Sequence, residues 1–422
     1  MIGIVGAGLT GLALAHELAR RGVEHVVLEA ADRPGGVIES ARVDGRVLDF
    51  GPQRLRMTGA VEALVHELGL GAQVVRAPVG LPLYVYARGD LREVPVSLGA
   101  LAAGDLLTWR GKLRLAWEPL TATARPDETV AEFFTRKLGK EAYARLAGPI
   151  YGGLYASDPA AMVVRTSLAG TLDELGIRRS LVARFARVRG PGPTASACSF
   201  RDGMAALTNG LYAGSVGAVR LGCAVRRLVP CERGWRVEGD SCVLEARSVV
   251  LTCAADAAAE LVTEVSPDAA ERLRSLVYNP LAVVHLDAGE TGLRGLGYQV
   301  AFGESLQTRG VTWNDSLFGH ADRAGVYTAF LGGAMNPKIA EEPDDRVGAI
   351  AAREFARVTG RAARVLAVSR TRMPAWDRSW ATLEALRLPA GIETAASWRS
   401  RPGIPGRLTE AIGLAEELKG RG

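Results

Sequence analysis

The sequence has little of what metal enzymes, disulfide scaffolds and membrane-spanning proteins are built from. Its five cysteines, Cys198, Cys223, Cys231, Cys242 and Cys253, are odd in number and form no CxxC pair, which predicts reduced thiols, several of them small core residues, and no disulfide framework. Five histidines are scattered, and His16-Glu17 is followed by Arg20 where a zinc helix needs a second histidine, so no metal site is expected. No stretch of about 18 apolar residues is free of charge, which argues against a transmembrane helix. Met1 already opens an apolar run with no leader-like segment before it, and the expectation is a cytoplasmic chain. Neither sign of charge dominates: 51 basic residues stand against 46 acidic ones. Nucleic-acid binding finds no support, because the one arginine cluster, Arg178, Arg179, Arg184, Arg187 and Arg189, comes with no binding motif. That cluster reads first as a solvated face followed by a linker, with a membrane or partner contact as the functional alternative.

What remains is ordinary for a globular protein in composition, 48% hydrophobic and 23% charged, and 422 residues suit two or three joined domains. The abundant residue is glycine, 50 in all, and its placement carries the chemistry. A short apolar run at 1–5 leads into Gly6-Ala7-Gly8-Leu9-Thr10-Gly11, an Ala/Leu-rich helix over 12–21 closed by Gly22, and then Val26-Val27-Leu28 ending in Glu29. Gly6 permits the tight turn, Gly8 lets the backbone approach a diphosphate, and Gly11 lets helix and strand pack closely. The helix N-terminus then offers free N–H groups to phosphate, and Glu29 accepts from ribose hydroxyls. In this strand–turn–helix context, with the acid about 20 residues on, the spacing predicts a dinucleotide site.

The continuation, Glu29-Ala30-Ala31-Asp32-Arg33-Pro34-Gly35-Gly36-Val37, places an arginine and two further glycines just past the acid. It resembles the second signature of FAD-dependent oxidases of the amine oxidase and protoporphyrinogen oxidase group. A buried flavin needs backbone close along its ribityl chain, and residues without side chains allow that. Residues 43–50 read as a hairpin running into Gly51-Pro52-Gln53-Arg54, and 61–68 as a periodic helix closed by Gly69. Strands are expected at 83–85 and 91–96. From 101 to 189 the character is helical, with a helix start at Pro126-Asp127-Glu128-Thr129-Val130; Gly148-Pro149-Ile150-Tyr151-Gly152-Gly153-Leu154-Tyr155-Ala156-Ser157-Asp158-Pro159 reads as a loop too glycine-rich for helix. Short strands return at 219–221, 224–229, 234–238, 242–245 and 249–252, and Val225 is placed to offer its backbone to adenine. Residues 281–286 and 326–331 read as strands of a second sheet, 346–358 as an amphipathic helix, and the tail from 391 as strand, loop, helix.

Taken with Phe50-Gly51-Pro52, Gly153-Leu154-Tyr155-Ala156, Arg201-Asp202-Gly203-Met204 and Phe330-Leu331-Gly332-Gly333, the chain is similar nearly end to end to the protoporphyrinogen oxidase family. That resemblance implies an α/β fold: a Rossmann-like FAD-binding domain in three pieces (1–80, 196–275, 378–422), a mixed-sheet substrate domain in two (81–100, 276–377) and a helical insertion, 101–195. It implies FAD, a porphyrinogen substrate, oxygen as acceptor and hydride transfer to the flavin without a side-chain nucleophile. It implies cofactor contacts at Gly51, Pro52, Gln53, Ser397, Pro402, Gly403 and Ile404, and substrate contacts at Gly153, whose carbonyl faces pyrrole N–H groups, and at the wall residues Leu83, Phe330 and Leu331. Arg54 and Arg56 either meet substrate carboxylates or help hold the flavin. Coproporphyrinogen as substrate, another amine or metabolite, and a non-catalytic paralogue stay open beside protoporphyrinogen. The departures bear on substrate: Leu83 stands where the family can carry a propionate-binding arginine, the tail reads Thr394-Ala395-Ala396-Ser397-Trp398, and Ala411 replaces a usual glycine.

Overall fold

Ile2–Val5 is buried at every residue because it is the middle strand of a five-stranded parallel sheet. The order across that sheet is Val219–Arg220, His25–Leu28, Ile2–Val5, Ser248–Leu251 and Ile392–Thr394, so it draws on three distant stretches of chain. The three inner strands are rich in Val, Ile and Leu, as a sheet covered on both faces requires. Helix Leu9–Arg20 is the crossover between the first two strands. The C-terminal helix Ile404–Gly420 packs against it, with Ala411 and Ala415 completely buried beside Ala13 and Leu14. Alanine therefore fits where the resembling family has glycine. The computed structural model describes residues 1–121, 123–125, 127–174, 176–177, 179–187, 197–399 and 403–421, without the side chains of 174, 185–187, 320 and 321.

A second, seven-stranded sheet runs Arg364–Pro374, Tyr278–Asp287, Val326–Gly332, Thr308–Thr312, Gly297–Val300, Leu83–Ala87 and Asp90–Glu93. It is mixed: Gly297–Val300 pairs parallel with Leu83–Ala87 and the other pairs are antiparallel. Strand alternation sends Ala282, Val284, Tyr327, Ala329 and Leu331 to one face, where helix Asp344–Thr359 covers them with Val347, Ile350 and Phe355. The opposite face carries Val283, His285, Thr328 and Phe330.

Between the sheets in sequence lies a run of helices from Leu98–Ala103 to Leu181–Arg187. Thr129 starts helix Val130–Leu138 with a full capping box to Glu132. The run is pinned by a completely buried pair, Lys137 Nζ to Glu118 at 2.7 Å. Glu118 also accepts from Ser180 and from the Leu181 and Val182 N–H groups. Burial pushes the Glu118 carboxyl up, but the bonds from Lys137, Ser180 and Leu181 outweigh it and hold the pKa below the usual range.

Two expectations fail. The stretch read as a glycine loop contains helix Gly148–Tyr155. Glycine disfavours helix by about 1 kcal/mol per residue, yet here its bareness is what lets the helix press against its surroundings. A Cβ on Gly148 would lie 2.6 Å from the Phe302 ring, one on Gly152 2.9 Å from the Ser157 carbonyl, and one on Gly153 would overlap the Gln299 amide. Nor are all five cysteines independent thiols: Cys223 and Cys242 are joined as a disulfide with Cα atoms 6.1 Å apart, while Cys198, Cys231 and Cys253 are free. Their separation of 19 residues has no motif signature, and only the hairpin return of the 225–246 meander brings them together.

Candidate active site

The glycine turn is built as its spacing predicts. Gly6 has φ +108°, in the region open to glycine, and a Cβ on Gly11 would overlap the Gly6 carbonyl. Gly8 caps helix Leu9–Arg20 without any side-chain bond, so N–H groups of the first turn remain unclaimed within the helix. A Cβ on Gly8 would meet nothing within 4 Å: the backbone there faces open space. Ala7 and Leu9 are buried behind the turn, as is Thr10.

The second glycine pair sits directly on the first turn. Gly35 bridges Gly8 in parallel and donates to the Ala7 carbonyl at 2.8 Å, and a Cβ on Gly36 would lie 3.2 Å from Gly8 Cα. Arg33 steadies this loop by donating to the Gly36 carbonyl at 3.1 Å and pairing with Glu39 at 2.6 Å. Val37 is 69% exposed, unusual for valine, and a Cβ on Gly51 would overlap its carbonyl, so the Gly51-Pro52 loop lies against the same cradle. Glu29 braces the assembly, accepting from the Ala7 N–H at 2.6 Å and the Ala31 N–H at 2.9 Å, with Ala30 exposed beside it. The Cys223 N–H in turn donates to the Glu29 carbonyl, which brings Val225, two residues on, to this end of the cradle. At the other end, Arg407 grips the Ala396 and Ser397 carbonyls at 2.8 Å each, and Gly403, with φ +97°, starts the C-terminal helix before the buried Ile404. Burial lowers the Arg407 pKa to about 10. Pro402 lies outside the described residues.

Of the residues expected to meet substrate, Phe330 and Leu83 share one face of the mixed sheet, and Gly153 abuts it from helix Gly148–Tyr155. Phe330 is opposite Gly310, Gly310 opposite Gln299, and Gln299 fills the space beside Gly153. Leu83 stands in the next row, Thr328, Thr312, Gly297 and Leu83. Leu331 points the other way, into the core under helix Asp344–Thr359, and is no wall residue. A buried polar relay joins this face to the Gly51 to Gln53 loop: Asn314 Nδ2 donates to Gln53 at 3.1 Å, and Thr328 Oγ1 donates to Asn314 Oδ1 at 2.9 Å. Thr328 must then accept from His285 Nδ1–H at 3.2 Å, which fixes the tautomer. Burial lowers the His285 pKa to about 4, so the ring is neutral.

Several residues that shape the site escaped the sequence reading. Thr252 donates towards the Val5 and Gly6 carbonyls, both at 2.9 Å, and Cys253 follows it beside the turn. Their signal was position, at the carboxyl end of an expected short strand, which proves to be parallel to Ile2–Val5. Burial pushes the Cys253 thiol up to about 12, which keeps it protonated. Asp49 is fully buried just before Phe50-Gly51-Pro52, where it pairs with buried Arg323 at 3.1 Å and accepts from Ser40 and the Met204 N–H. A Cβ on Gly203 would crowd Ser40 and Asp49, which explains the Asp202-Gly203-Met204 string. Arg323 had no signal, being one arginine among many.

A parallel sheet, a bare glycine cradle at a helix N-terminus, a carboxylate at the end of the second strand and a second glycine pair define a flavin-dinucleotide-binding protein, and the open space at Gly8 and exposed Val37 fit FAD. The sequence model of flavin containing amine oxidoreductases matches residues 9–403, and the chain belongs to that family. It is 26% identical to the chloroplastic protoporphyrinogen oxidase of Nicotiana tabacum over 84% of this chain and 71% of that protein. Against the coproporphyrinogen III oxidase of Bacillus subtilis the identity is 25%, over 82% and 80% respectively. Among solved structures, a protein from Exiguobacterium sp. 255-15 with a provisional protoporphyrinogen oxidase assignment superposes with a TM-score of 0.83 at 22% identity, covering 100% of this chain and 99% of that one. A triple mutant of putrescine oxidase gives 0.76 at 17%, with the same coverage. The protein is an FAD-dependent oxidoreductase.

Proposed function

We propose that this enzyme oxidises a porphyrinogen, protoporphyrinogen IX in preference to coproporphyrinogen III, with oxygen as the final acceptor. The supporting observation is the make-up of this face of the mixed sheet, apolar Phe330 and Leu83 beside a backbone carbonyl at a helix end, in a chain similar over most of its length to oxidases of both porphyrinogens. When bound, FAD supplies the two-electron acceptor that such an oxidation needs, while the protein orients and desolvates the substrate.

In this reading Gly6, Ala7, Gly8, Leu9, Thr10 and Gly11 hold the diphosphate, Glu29 the ribose, and Gly35, Gly36, Val37, Gly51 and Pro52 the rest of the cofactor. Gly153 presents its carbonyl to pyrrole N–H groups: the Ser157 N–H that would take it up in a continuing helix goes to Gly152 instead. Segments 1–80, 196–275 and 378–422 make up the cofactor unit and 81–100 with 276–377 the substrate unit. Coproporphyrinogen carries about twice as many carboxylates, and Leu83 offers none of them a partner. Steady-state kinetics on both porphyrinogens tests the preference. A higher kcat/KM for the dicarboxylate is expected, and the reverse order would reassign the substrate without touching the enzyme class.

The reading extends to a peripheral membrane contact. Trp109, Leu113 and Trp117, on successive turns of one short helical stretch, are 65%, 56% and 64% exposed, and Leu120 is 71% exposed. Arg110 stacks on Trp109 at 5.4 Å. Aromatic rings flanked by cations suit an interface with anionic lipid. Of the arginine cluster, Arg178 and Arg189 lie outside the described residues. Among the described residues no helix is long and apolar enough to cross a membrane. Flotation with anionic liposomes, lost in Trp109→Ser/Trp117→Ser, supports the contact; equal negligible binding to anionic and neutral vesicles ends it.

A further inference from the structure

Gln53, Leu55 and Met57 are buried at 7%, 4% and 8%, while Arg54 and Arg56 between them are exposed. In extended chain this alternation aims both guanidinium groups the same way. Leu55 and Arg56 are locked into a short strand against Ala197 and Cys198, and Gln53 is tied through Asn314 to Thr328 on the substrate face, two residues from Phe330. The backbone at Arg54 therefore stands at the seam between the Gly51 to Gln53 loop and the mixed sheet, with its side chain on the other side of the chain from Gln53. Among the described residues neither arginine has a hydrogen-bond or ion-pair partner, whereas Arg33, Arg42 and Arg323 are each paired. Arg54 is open to solvent, and the protein packed around it lowers its pKa from the usual arginine range by desolvation. An unpaired guanidinium in such a place keeps its donors free for a ligand carboxylate.

We propose that Arg54 and Arg56 together anchor a carboxylate edge of the substrate, taking the role that Leu83 cannot fill. This rests on the porphyrinogen reading above. The forked donors of arginine match a carboxylate in two-point contact, and a pair one strand repeat apart matches neighbouring acid side chains on one edge of a macrocycle better than a single charge.

The test compares wild type, Arg54→Ala, Arg54→Lys and Arg56→Ala on protoporphyrinogen IX and its dimethyl ester, with bound FAD measured separately by flavin released on denaturation. Each alanine variant should raise KM for the diacid about tenfold with kcat little changed. The ester should be handled alike by all four proteins, Arg54→Lys should recover part of the loss, and FAD content should stay at the wild-type level. Loss of FAD in Arg54→Ala would assign that residue to the cofactor and overturn the proposal, as would equal losses on diacid and ester. Should wild type oxidise neither, the porphyrinogen reading fails by itself. The anchor is then read from binding of the porphyrin diacid and its ester by fluorescence quenching, where equal affinities, or no binding, overturn it.

Discussion

Gly8 and Gly11 are one turn apart and are glycines for opposite reasons, which makes them a matched pair of probes. Gly8 has φ −70°, a conformation any residue adopts, and open space where its side chain would be. Gly8→Val should fold with unchanged Tm yet bind little FAD, because the added side chain occupies the diphosphate's approach; retained flavin would place the phosphates elsewhere. Gly11→Ala, colliding with the Gly6 carbonyl, should lose stability first. Glu29→Ala removes two bonds to backbone N–H groups as well as the proposed ribose acceptor, and FAD should weaken by about 1–3 kcal/mol in a fluorescence titration. His285 has an ordinary pKa of 6.5 when unfolded and about 4 when folded. The unfolded chain thus binds the extra proton first, and stability should fall as pH drops from 6.5 towards 4, by about 3 kcal/mol over the whole window. Urea unfolding at several pH values should show a shallower acid limb in His285→Gln; an identical limb would mean the ring is not held neutral. Much of this scale was legible, since the glycine string and the acid after Val26-Val27-Leu28 are local features. The relay from Gln53 to His285 was not, because Gln53 and Asn314 are 261 residues apart and nothing local marks its members.

Elements with strong period were readable to within a few residues, such as helix Asp344–Thr359, whose apolar stripe at Val347, Ile350, Ala351 and Phe355 meets a sheet. Helix Gly148–Tyr155 was misread because propensity counts glycine against helix while tertiary contact counts for it, and only the fold supplies Phe302 and Gln299. The Asp49–Arg323 pair also acts at this scale. It holds together hairpin Ser40–Asp49, strand Ala197–Phe200 through the Phe200 carbonyl at 3.2 Å and Ser199 at 3.1 Å, and the start of helix Ala205–Ala213. Arg323→Leu leaves a buried carboxylate without its partner and should cost about 3–5 kcal/mol in chemical denaturation. The double variant Asp49→Asn/Arg323→Leu should recover part of that. A double no more stable than the single would show that the arginine matters for packing alone.

Across the whole molecule, one sheet supplies the glycine cradle and the other the apolar face, and the Gly51 to Gln53 loop joins them through Asn314. The central claim is that a porphyrinogen held between them reduces the bound flavin. The most direct measurement mixes FAD-loaded protein with protoporphyrinogen IX without air and follows the visible flavin band. The band should bleach, then return when air is admitted, with porphyrin fluorescence appearing and about three oxygen molecules consumed per porphyrin over repeated cycles. A flavin that stays oxidised with both proto- and coproporphyrinogen, yet bleaches with an amine, would contradict the account.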